Sequence, residues 1–408
     1  MPTHRSTVAC FRSSSDSPPS TRSRSRRLAP PSAGILPDHA GRHNDAGARP
    51  RSLGFAHVDR PARALLNRLG GATSVSGFFS YAEQTVHYFT RPHERPALAP
   101  VGGPAAWRGA DLARSDSWRT PLRPAQVDEL CRALASALST GKPTAELTAA
   151  DFPLPTLAAE VRRWREAIEA GPGLHVVSGI PVESWTQAES ETAFWCLGLH
   201  LGRPGAQNAA GDLLGHVVDT GEDAADPHVR LYRTASHIAY HCDAADVVGL
   251  LCLRTARRGG TSRIASSVTV YDELLARRPD LVPLLYEPFP LDVRNEDASG
   301  RLRWIPIPPC CFADGRLRTF YHSDYFRSVT RHDDVPPFTP EKQALIDLYE
   351  EIAATPGIYL DMELRPGDVQ WLSNHTIVHS RTAYEDEGTA GGKRHLLRLW
   401  LSLDHAVA

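Results

Sequence analysis

The sequence has no marked excess of charge and no long apolar run, and these two absences exclude several classes of protein. Lys and Arg together number 45 and Asp and Glu number 47, which gives a net charge of −2. Bulk electrostatics therefore favours neither nucleic acid nor a membrane surface as a partner. No apolar run reaches the roughly 20 residues that span a bilayer. The N-terminus also lacks the apolar region of a secretory signal peptide, so we expect a cytoplasmic protein.

Cysteine is scattered and forms no pattern that would indicate disulfides. The chain has seven cysteines, an odd number, and no Cys-x-x-Cys pair. Such usage is typical of reduced thiols in the cytosol. Hydrophobic residues make up 41% of the chain and charged residues 23%, as in ordinary globular domains. A length of 408 residues suits two to three domains, or one large β-barrel domain with flanking helices.

The first 60 residues have the composition of a disordered chain. They are rich in Arg, Ser, Pro, Ala and Gly and contain few aliphatic or aromatic residues. An Arg/Ser-rich segment with few acids could serve as a targeting arm, but we favour an extension without function. Residues 61–106 give no defined pattern. From Trp107 onward the sequence has the mixture of apolar and polar residues expected of a folded domain.

Helices come first in the globular part, and strands dominate later. This order, with frequent Gly and Pro between elements, predicts a mainly β protein of the α+β class, with a jelly-roll barrel and helices packed outside it. Apolar residues at helical spacing predict helices over 124–138, 157–170, 187–201, 266–275 and 340–354. Apolar runs between turn residues predict strands over 174–177, within 230–253, and over 358–364, 369–372 and 395–403.

A His-x-Asp pair stands at the head of a long apolar run. His241 and Asp243 are two positions apart, so in a β-strand both side chains would project to the same side, at the mouth of the barrel. An imidazole and a carboxylate on one face are two thirds of a facial triad for Fe(II), and the best third ligand is His379. By itself the pair is a weak signal in a chain with 18 histidines, and a hydrogen-bonded structural histidine is the alternative.

Two histidines in the distal segment are four positions apart, which could also indicate a Zn site on one face of a helix. The residues between His375 and His379 include Thr376, Ile377 and Val378, and these β-branched residues disfavour a helix. We therefore predict an extended segment in which only one of the two histidines faces the barrel. A hydrogen-bonded structural role is the alternative for either of them.

The last predicted strand carries arginines within an apolar run. Arg394 and Arg398 are an even number of positions apart, so they share a face of an unbulged strand. A buried arginine is costly unless it is paired, which indicates either a bound carboxylate or a protein carboxylate as its partner. After the first apolar run, Gly259 and Gly260 allow a tight turn, and the hydroxyl of Thr261 or Ser262 could bond a bound acid. An ordinary hairpin is the alternative there.

Taken in order, these motifs resemble the TauD/TfdA family of taurine and 2,4-dichlorophenoxyacetate dioxygenases. The chain has His-x-Asp, then Gly-Gly-x-Ser, then Asn-His-x-x-x-His-x-Arg-Thr, then Arg-x-x-x-Arg. The family consists of Fe(II)- and 2-oxoglutarate-dependent oxygenases built on a double-stranded β-helix. The resemblance covers residues 107–408, which we therefore predict to be one catalytic domain.

The resemblance implies roles for individual residues. His241, Asp243 and His379 correspond to the iron ligands, and the presence of a carboxylate at 243 argues against a halogenase. Arg394 corresponds to the residue that grips the distal carboxylate of 2-oxoglutarate, with the Ser262 hydroxyl assisting it. Arg398 corresponds to a second arginine that contacts the anionic group of the prime substrate or supports the cosubstrate. The segment between 379 and 394 is longer than in the taurine enzyme, so the lid over the site differs.

The implied reaction is the oxidation of a C–H bond in a small anionic or amino-acid-like substrate by O2, with 2-oxoglutarate converted to succinate and CO2. A homo-oligomer is compatible with the sequence. A Zn-dependent hydrolase that uses the same three residues with a bound water is one alternative. A jelly roll that binds a sugar or an acid without catalysis is the other. The pocket candidates are polar or aromatic residues: Tyr232, Arg233, His237, Tyr321 and His322.

Overall fold

The computed structural model describes residues 77–226, 228–294, 302–388 and 392–403. The predicted disordered extension, residues 1–60, lies outside the described residues, as do residues 61–76. The helices are α1 (Tyr81–Phe89), α2 (Gly109–Leu112), α3 (Pro124–Ser139), α4 (Leu157–Glu169), α5 (Gln187–Leu199), α6 (Ser267–Arg277), α7 (Ser323–Ser328) and α8 (Pro340–Ala353). The strands are β1 (Arg119–Pro121), β2 (Leu174–Ser178), β3 (Arg203–Gly205), β4 (Leu214–Val217), β5 (Ile238–His241), β6 (Val247–Arg254), β7 (Arg258–Gly259), β8 (Ser262–Ser266), β9 (Phe289–Asp292), β10 (Trp304–Ile307), β11 (Cys310–Ala313), β12 (Arg316–Thr319), β13 (Tyr359–Met362), β14 (Val369–Ser373), β15 (Ile377–Arg381), β16 (Tyr384–Glu385) and β17 (His395–Ser402).

Two sheets face one another across an apolar layer. The larger sheet has the order β1-β2-β14-β6-β17-β3, with β4 also paired to β17, and the smaller has the order β13-β8-β15-β5. Val248 and Trp400 of the larger sheet share one buried cluster with Ile264 and Leu360 of the smaller. Two sheets of mainly antiparallel strands closed over a common core form a jelly roll. The predicted fold class, mainly β with flanking helices around a double-stranded β-helix core, is confirmed.

Strand β17 shows why the barrel strands have such continuous apolar sequences. All eight of its residues are buried, because one face lines the barrel interior and the other lies under helices. Leu397 and Leu399 belong to the cluster that α3, α4 and α5 cover. Trp400 and Arg398 point the opposite way, into the barrel. The alternation thus carries a guanidinium group to the interior.

The outer helices follow their amphipathic patterns closely. Helix α4 buries Leu157, Val161, Trp164 and Ile168, which recur at helical spacing. Its first turn is capped by Glu129, whose carboxylate accepts from the backbone N–H of Leu157 at 2.9 Å. Helices α6 and α8 pack against each other beside the smaller sheet. The barrel is therefore covered on both outer faces.

Each predicted helix and strand is present within a few residues of its predicted bounds, but several of the described elements were not predicted, among them two hairpins. They are β9–β10 and β11–β12. Strands β9 and β10 each contain a proline, and Pro290 lies opposite Pro306 in the register. A proline in an apolar run favours the prediction of a turn over a strand, because proline has no backbone N–H to donate to the hydrogen bonds between strands. No helix in the described ranges is long and apolar enough to cross a membrane.

Candidate active site

The structure brings together His241, Asp243 and His379. Strands β5 and β15 are antiparallel neighbours, and His241 lies directly opposite His379 in their register. The two imidazole rings have centroids 4.1 Å apart. Asp243 follows β5, and one candidate ligand atom from each of the three residues lies within 4.8 Å of the others. Sheet pairing thus joins residues that are more than 130 positions apart.

Backbone and side-chain bonds orient this group. His241 Nδ1–H donates to the carbonyl of Ala239 at 2.9 Å, which leaves Nε2 with a lone pair directed at the site. The backbone N–H of Asp243 donates to Asn374 Oδ1 at 3.0 Å. Asp243 Oδ2 is buried and has no hydrogen-bond partner among the described residues. A buried carboxylate oxygen without a partner is costly, and a cation bound between the three side chains would satisfy it.

Burial sets the protonation states that a metal needs. It lowers the pKa of His241, and it lowers the pKa of His379 to about 3, so both imidazoles are neutral near pH 7. Burial works against ionised Asp243, but the nearby guanidinium of Arg398 favours the charged form, and the pKa of Asp243 stays below its usual value. Two neutral imidazoles and one carboxylate are the ligand forms that divalent iron requires.

The triad lies between two cavities. The first, here called the inner chamber, has a volume of about 520 Å³ including its opening, and Asp243 lines it together with both histidines. Its other walls come from both sheets and from the segment before β5. They are Val217, Tyr232, Ile238, Leu250, Ser262, Leu364, Ser380, Arg381, Arg394, Leu396 and Arg398. Every residue that the sequence assigned to the cosubstrate therefore lines one chamber.

The inner chamber is strongly cationic. It contains three guanidinium groups and, among its lining residues, the single carboxylate of Asp243. Arg381 donates to the carbonyl of Thr234 at 2.7 Å, and Arg394 Nη2 donates to that of Gly260 at 3.3 Å. Arg394 Nη1 is buried without a partner among the described residues. An unused donor inside a cationic cavity suits a carboxylate ligand.

Arg398, for which the sequence left the partner open, contacts protein groups. Its Nε donates to Gln207 Oε1 at 2.7 Å, and its Nη1 lies 3.3 Å from Asp243 Oδ1. A protein carboxylate is therefore the partner of Arg398. Ser262 also has a protein partner, because its hydroxyl donates to Gln370 Oε1 at 3.0 Å. That bond must be exchanged if Ser262 is to donate to a bound acid.

The second cavity, the outer chamber, has a volume of about 750 Å³ including its mouth, and it also reaches Asp243. Its walls are mainly apolar, with a polar side formed by the cationic Arg230 and by His322, whose pKa burial holds well below its usual value, so that this ring is neutral. The His322 ring lies 5.1 Å from that of His241 and stacks on Tyr325 at 3.7 Å. The remaining lining residues are Tyr81, Thr85, Phe89, Cys242, Ala244, Leu291, Asp292, Val293, Leu302, Ile305, Phe320, Tyr325 and Trp400.

Only some of the pocket residues that the sequence suggested line one of the two chambers. Tyr232 lines the inner chamber and His322 the outer one, whereas Arg233 and His237 line neither. The expectation for Tyr321 is wrong. Its ring is buried in the hydrophobic core, and its hydroxyl donates to the carbonyl of Ile346 at 3.2 Å. Tyr321 and His322 are adjacent in an extended segment, so their side chains point to opposite sides.

His375 has a structural role, as one of the sequence alternatives proposed. Its Nε2 lies 2.8 Å from Asp246 Oδ1, and its ring stacks on that of Tyr88. The segment after it is strand β15, not a helix, so the two histidines of this segment do not share a site.

Several residues of the two chambers were missed by the sequence analysis. Arg230 and Asp292 carry no local signal, because isolated charges near turns are common. Helix α1 did have a signal, since Ser80 and Glu83 form a capping box. Its short length and its distance from the motifs concealed its place in the site.

Asp292, in the wall of the outer chamber, gives a test of the acid stability of this region. Its carboxylate accepts from Arg331 Nε at 2.8 Å and from the Ser328 hydroxyl at 2.8 Å. Burial opposes its charge, but Arg331 and its other donors outweigh burial and lower its pKa from 3.8 to about 2. A depressed pKa stabilises the fold above about pH 4, and this contribution, about 2 kcal/mol, is lost as the pH falls to about 2.

We therefore expect the free energy of unfolding of Asp292→Asn to fall less steeply than that of the wild type between pH 4 and pH 2. Urea unfolding at several pH values measures both slopes. Parallel curves for the two proteins would contradict the assigned pKa.

A jelly roll that places two imidazoles and one carboxylate beside a cationic chamber defines the class of mononuclear non-haem iron oxygenases. The family described as "Taurine catabolism dioxygenase TauD, TfdA family" matches residues 137–400. The chain belongs to this family. It is thus an Fe(II)- and 2-oxoglutarate-dependent dioxygenase, as the sequence predicted.

Individual relatives agree with this assignment. The chain is 33% identical over 310 residues to FR-33289 synthase of Streptomyces rubellomurinus, covering 75% of this chain and 91% of that protein. It is 27% identical over 313 residues to the taurine hydroxylase-like protein SAT17 of Stachybotrys chartarum, and this match covers 74% of this chain and 80% of that protein. Asparagine oxygenase with Fe(II), 3-hydroxyasparagine and succinate has a similar fold, with a TM-score of 0.57 and 16% identity over 70% of this chain and 93% of that chain. The structure of the oxygenase OrfP with Fe and α-ketoglutaric acid is also similar, with a TM-score of 0.54 and 16% sequence identity. The match covers 70% of this chain and 94% of that chain.

Proposed function

We propose that His241, Asp243 and His379 hold the iron, that the inner chamber holds 2-oxoglutarate, and that the outer chamber holds a small anionic substrate. The observation that carries this proposal is the position of Asp243, which lines both chambers and lies close to the two imidazoles. Iron bound there supplies the redox centre at which a substrate C–H, O2 and 2-oxoglutarate become C–OH, succinate and CO2.

The charged and apolar walls of the inner chamber suit 2-oxoglutarate. Its three guanidinium groups outnumber its one lining carboxylate, and a cation at the triad would add to this positive charge, so the chamber attracts a dianion. Arg394 Nη1 is the donor available for the distal carboxylate, and Leu364 and Leu396 offer apolar contacts to the methylene groups between the two ends. Arg398 acts as a positioning residue, since it fixes Asp243 and keeps it ionised.

The outer chamber favours an anion with an apolar body. Arg230 and His322 provide donors near the triad, and most of the other walls are apolar. The carboxylate of Asp292 is already bound by Arg331, His332 and Ser328, so it is poorly placed to accept a substrate ammonium group. An amino acid is the second candidate, because solved structures of similar fold contain 3-hydroxyasparagine and hydroxyarginine.

The test is succinate release from 2-oxoglutarate by the purified protein with Fe(II), ascorbate and O2. Small carboxylates, sulfonates and phosphonates are added singly, alongside a matched series of amino acids. We expect basal succinate release and its stimulation by one or more acids that lack an amine. Absence of succinate in every metal-loaded preparation would overturn the proposal. Hydrolytic activity with Zn and without 2-oxoglutarate would instead indicate the hydrolase alternative.

Arg394→Ala tests the placement of the cosubstrate. Truncating one partner of a buried charged hydrogen bond costs about 2 kcal/mol or more, so we expect the KM for 2-oxoglutarate to rise about 30-fold or more. Arg257→Ala is the matched control, because Arg257 is exposed and pairs with Glu385 outside the chamber. Iron affinity, measured by titration, should be unchanged in both variants. An unaltered KM in Arg394→Ala would place 2-oxoglutarate elsewhere.

Residues 107–408 as the catalytic domain, a location in the cytoplasm and assembly into a homo-oligomer also remain predictions. Light scattering of the purified protein measures the oligomeric state directly, and a mass equal to one chain would exclude the homo-oligomer. Fractionation of the source cells tests the location.

A further inference from the structure

We infer that helix α1 is the wall of the outer chamber that selects the prime substrate by its length, and that its fixed position beside Asp243 makes the selection strict. The inference rests on the proposed function of the outer chamber. It concerns a segment that precedes residues 137–400, the part of the chain matched by the family as a whole. The residues that carry the chemistry lie inside that matched part.

One face of α1 lines the chamber. Tyr81, Thr85 and Phe89 are spaced by four positions, so they lie along one side of the helix, and all three contact the cavity. The ring of Phe89 lies edge-on to that of Phe320 at 4.8 Å, and Phe320 is also a wall residue. Two aromatic rings in rigid contact limit the depth of a cavity more sharply than flexible aliphatic chains do.

An adjacent side of α1 is bound to the segments that hold the triad. The fully buried Gln84 donates to the carbonyl of Ala244, the residue after Asp243, at 3.2 Å. Its Oε1 accepts from the Ser402 hydroxyl at 2.9 Å. The Tyr88 hydroxyl donates to the carbonyl of Asn374 at 2.9 Å. Since Asn374 also binds the backbone of Asp243, the helix and the carboxylate share their supports.

The end of α1 is fixed by a buried charge cluster, here called the Asp246 cluster. Asp246 accepts from His87 Nε2 at 2.8 Å and forms an ion pair with Arg91, just beyond the helix. It also binds His375 Nε2 at 2.8 Å and the backbone N–H of Leu403 at 2.8 Å. The carboxylate is fully buried. These bonds tie the helix to β17 and to the segment before β15, so the wall cannot retreat to admit a longer molecule.

A rigid apolar wall distinguishes substrates whose chains differ in length by one methylene group. One extra or missing methylene in a fitted pocket changes selection by about 10–200-fold. Phe89→Ala deepens the chamber, and Phe89→Trp makes it shallower. We therefore expect the preferred acid to become longer in Phe89→Ala and shorter in Phe89→Trp, with the ratio of KM values for neighbouring chain lengths shifted about 10-fold or more in opposite directions.

The experiment uses the full chain with Fe(II) and 2-oxoglutarate and two graded series of probes. One series runs from acetate to octanoate with the matching alkanesulfonates, and the other consists of straight-chain α-amino acids of the same lengths. The KM of each probe is read from its stimulation of succinate release. The readout is the ranking of probes within one variant, which a loss of stability lowers as a whole but does not reorder. Val86→Ala, on the same helix but outside the lining, is the control and should keep the wild-type ranking.

The outcomes separate this inference from the proposed function. Opposite shifts in the two Phe89 variants, with an unchanged ranking in Val86→Ala, support the wall. A wild-type ranking in both Phe89 variants overturns it while leaving the iron and cosubstrate assignments intact. If no probe stimulates a wild type that releases succinate alone, the outer chamber is not the substrate site and the inference falls. If the wild type releases no succinate at all, the proposed function has failed first.

Discussion

Replacing Asp243 by alanine is expected to remove both iron binding and turnover. The substitution deletes the only carboxylate among the three candidate ligands. It also leaves the buried guanidinium of Arg398 without its ion-pair partner, so a positive charge then lies where the cation should bind. Loss of a residue that merely supports a ligand costs about 10–100-fold in metal affinity, and loss of the ligand itself should exceed this.

Iron content after anaerobic loading and desalting measures the binding, and succinate release measures the turnover. Asp361→Ala is the control, because Asp361 forms an exposed ion pair with Arg263 on the outer surface of the small sheet. Asp243→Ala should fall below the detection limit in both assays, while the control should match the wild type. Wild-type iron content in Asp243→Ala would show that the metal is bound by other residues.

The largest loss of stability is expected at Asp246, which has no part in the chemistry. Asp246→Asn keeps the shape of the side chain but removes its negative charge, so the buried guanidinium of Arg91 loses its ion-pair partner and His87 and His375 lose their contacts with a carboxylate. Breaking a buried ion pair from one side costs about 3–5 kcal/mol. In a protein of this size that corresponds to a fall in Tm of about 4–6 °C.

Asp361→Asn again provides the matched control, since an exposed pair contributes about 1 kcal/mol or less. Thermal unfolding followed by circular dichroism compares the two variants under the same metal and cosubstrate conditions. Equal Tm values for Asp246→Asn and Asp361→Asn would mean that the Asp246 cluster does not anchor α1. Hydrogen exchange across α1 then tests the same point locally, because a loosened helix exchanges faster.

The barrel strands and outer helices could be predicted because their signals are local. Continuous apolar runs identified β6 and β17, and four-residue spacing identified α4. The proximity of His241 to His379 was harder to predict, since it depends on the pairing of β5 with β15. The order of motifs predicted it, but no periodicity in either strand would have done so alone.

What the sequence missed depends on contacts between distant segments. Arg398 shows this clearly: the need for a partner was evident, but the choice between a ligand and Asp243 depends on a neighbour 155 positions away. The Asp246 cluster collects groups from three further segments, and none of them has a distinctive local pattern. The hairpin β9–β10 was hidden for the opposite reason, because its prolines are a strong local signal for a turn.

Those prolines also bear on solubility. A two-stranded ribbon beside an open cavity exposes backbone donors along its edges, and such edges recruit strands from other molecules. Pro290 and Pro306 face each other in the register, where neither can donate, so each edge loses an N–H at the centre of the ribbon. The mouth of the outer chamber can therefore stay open to small molecules without becoming a template for intermolecular β-aggregation.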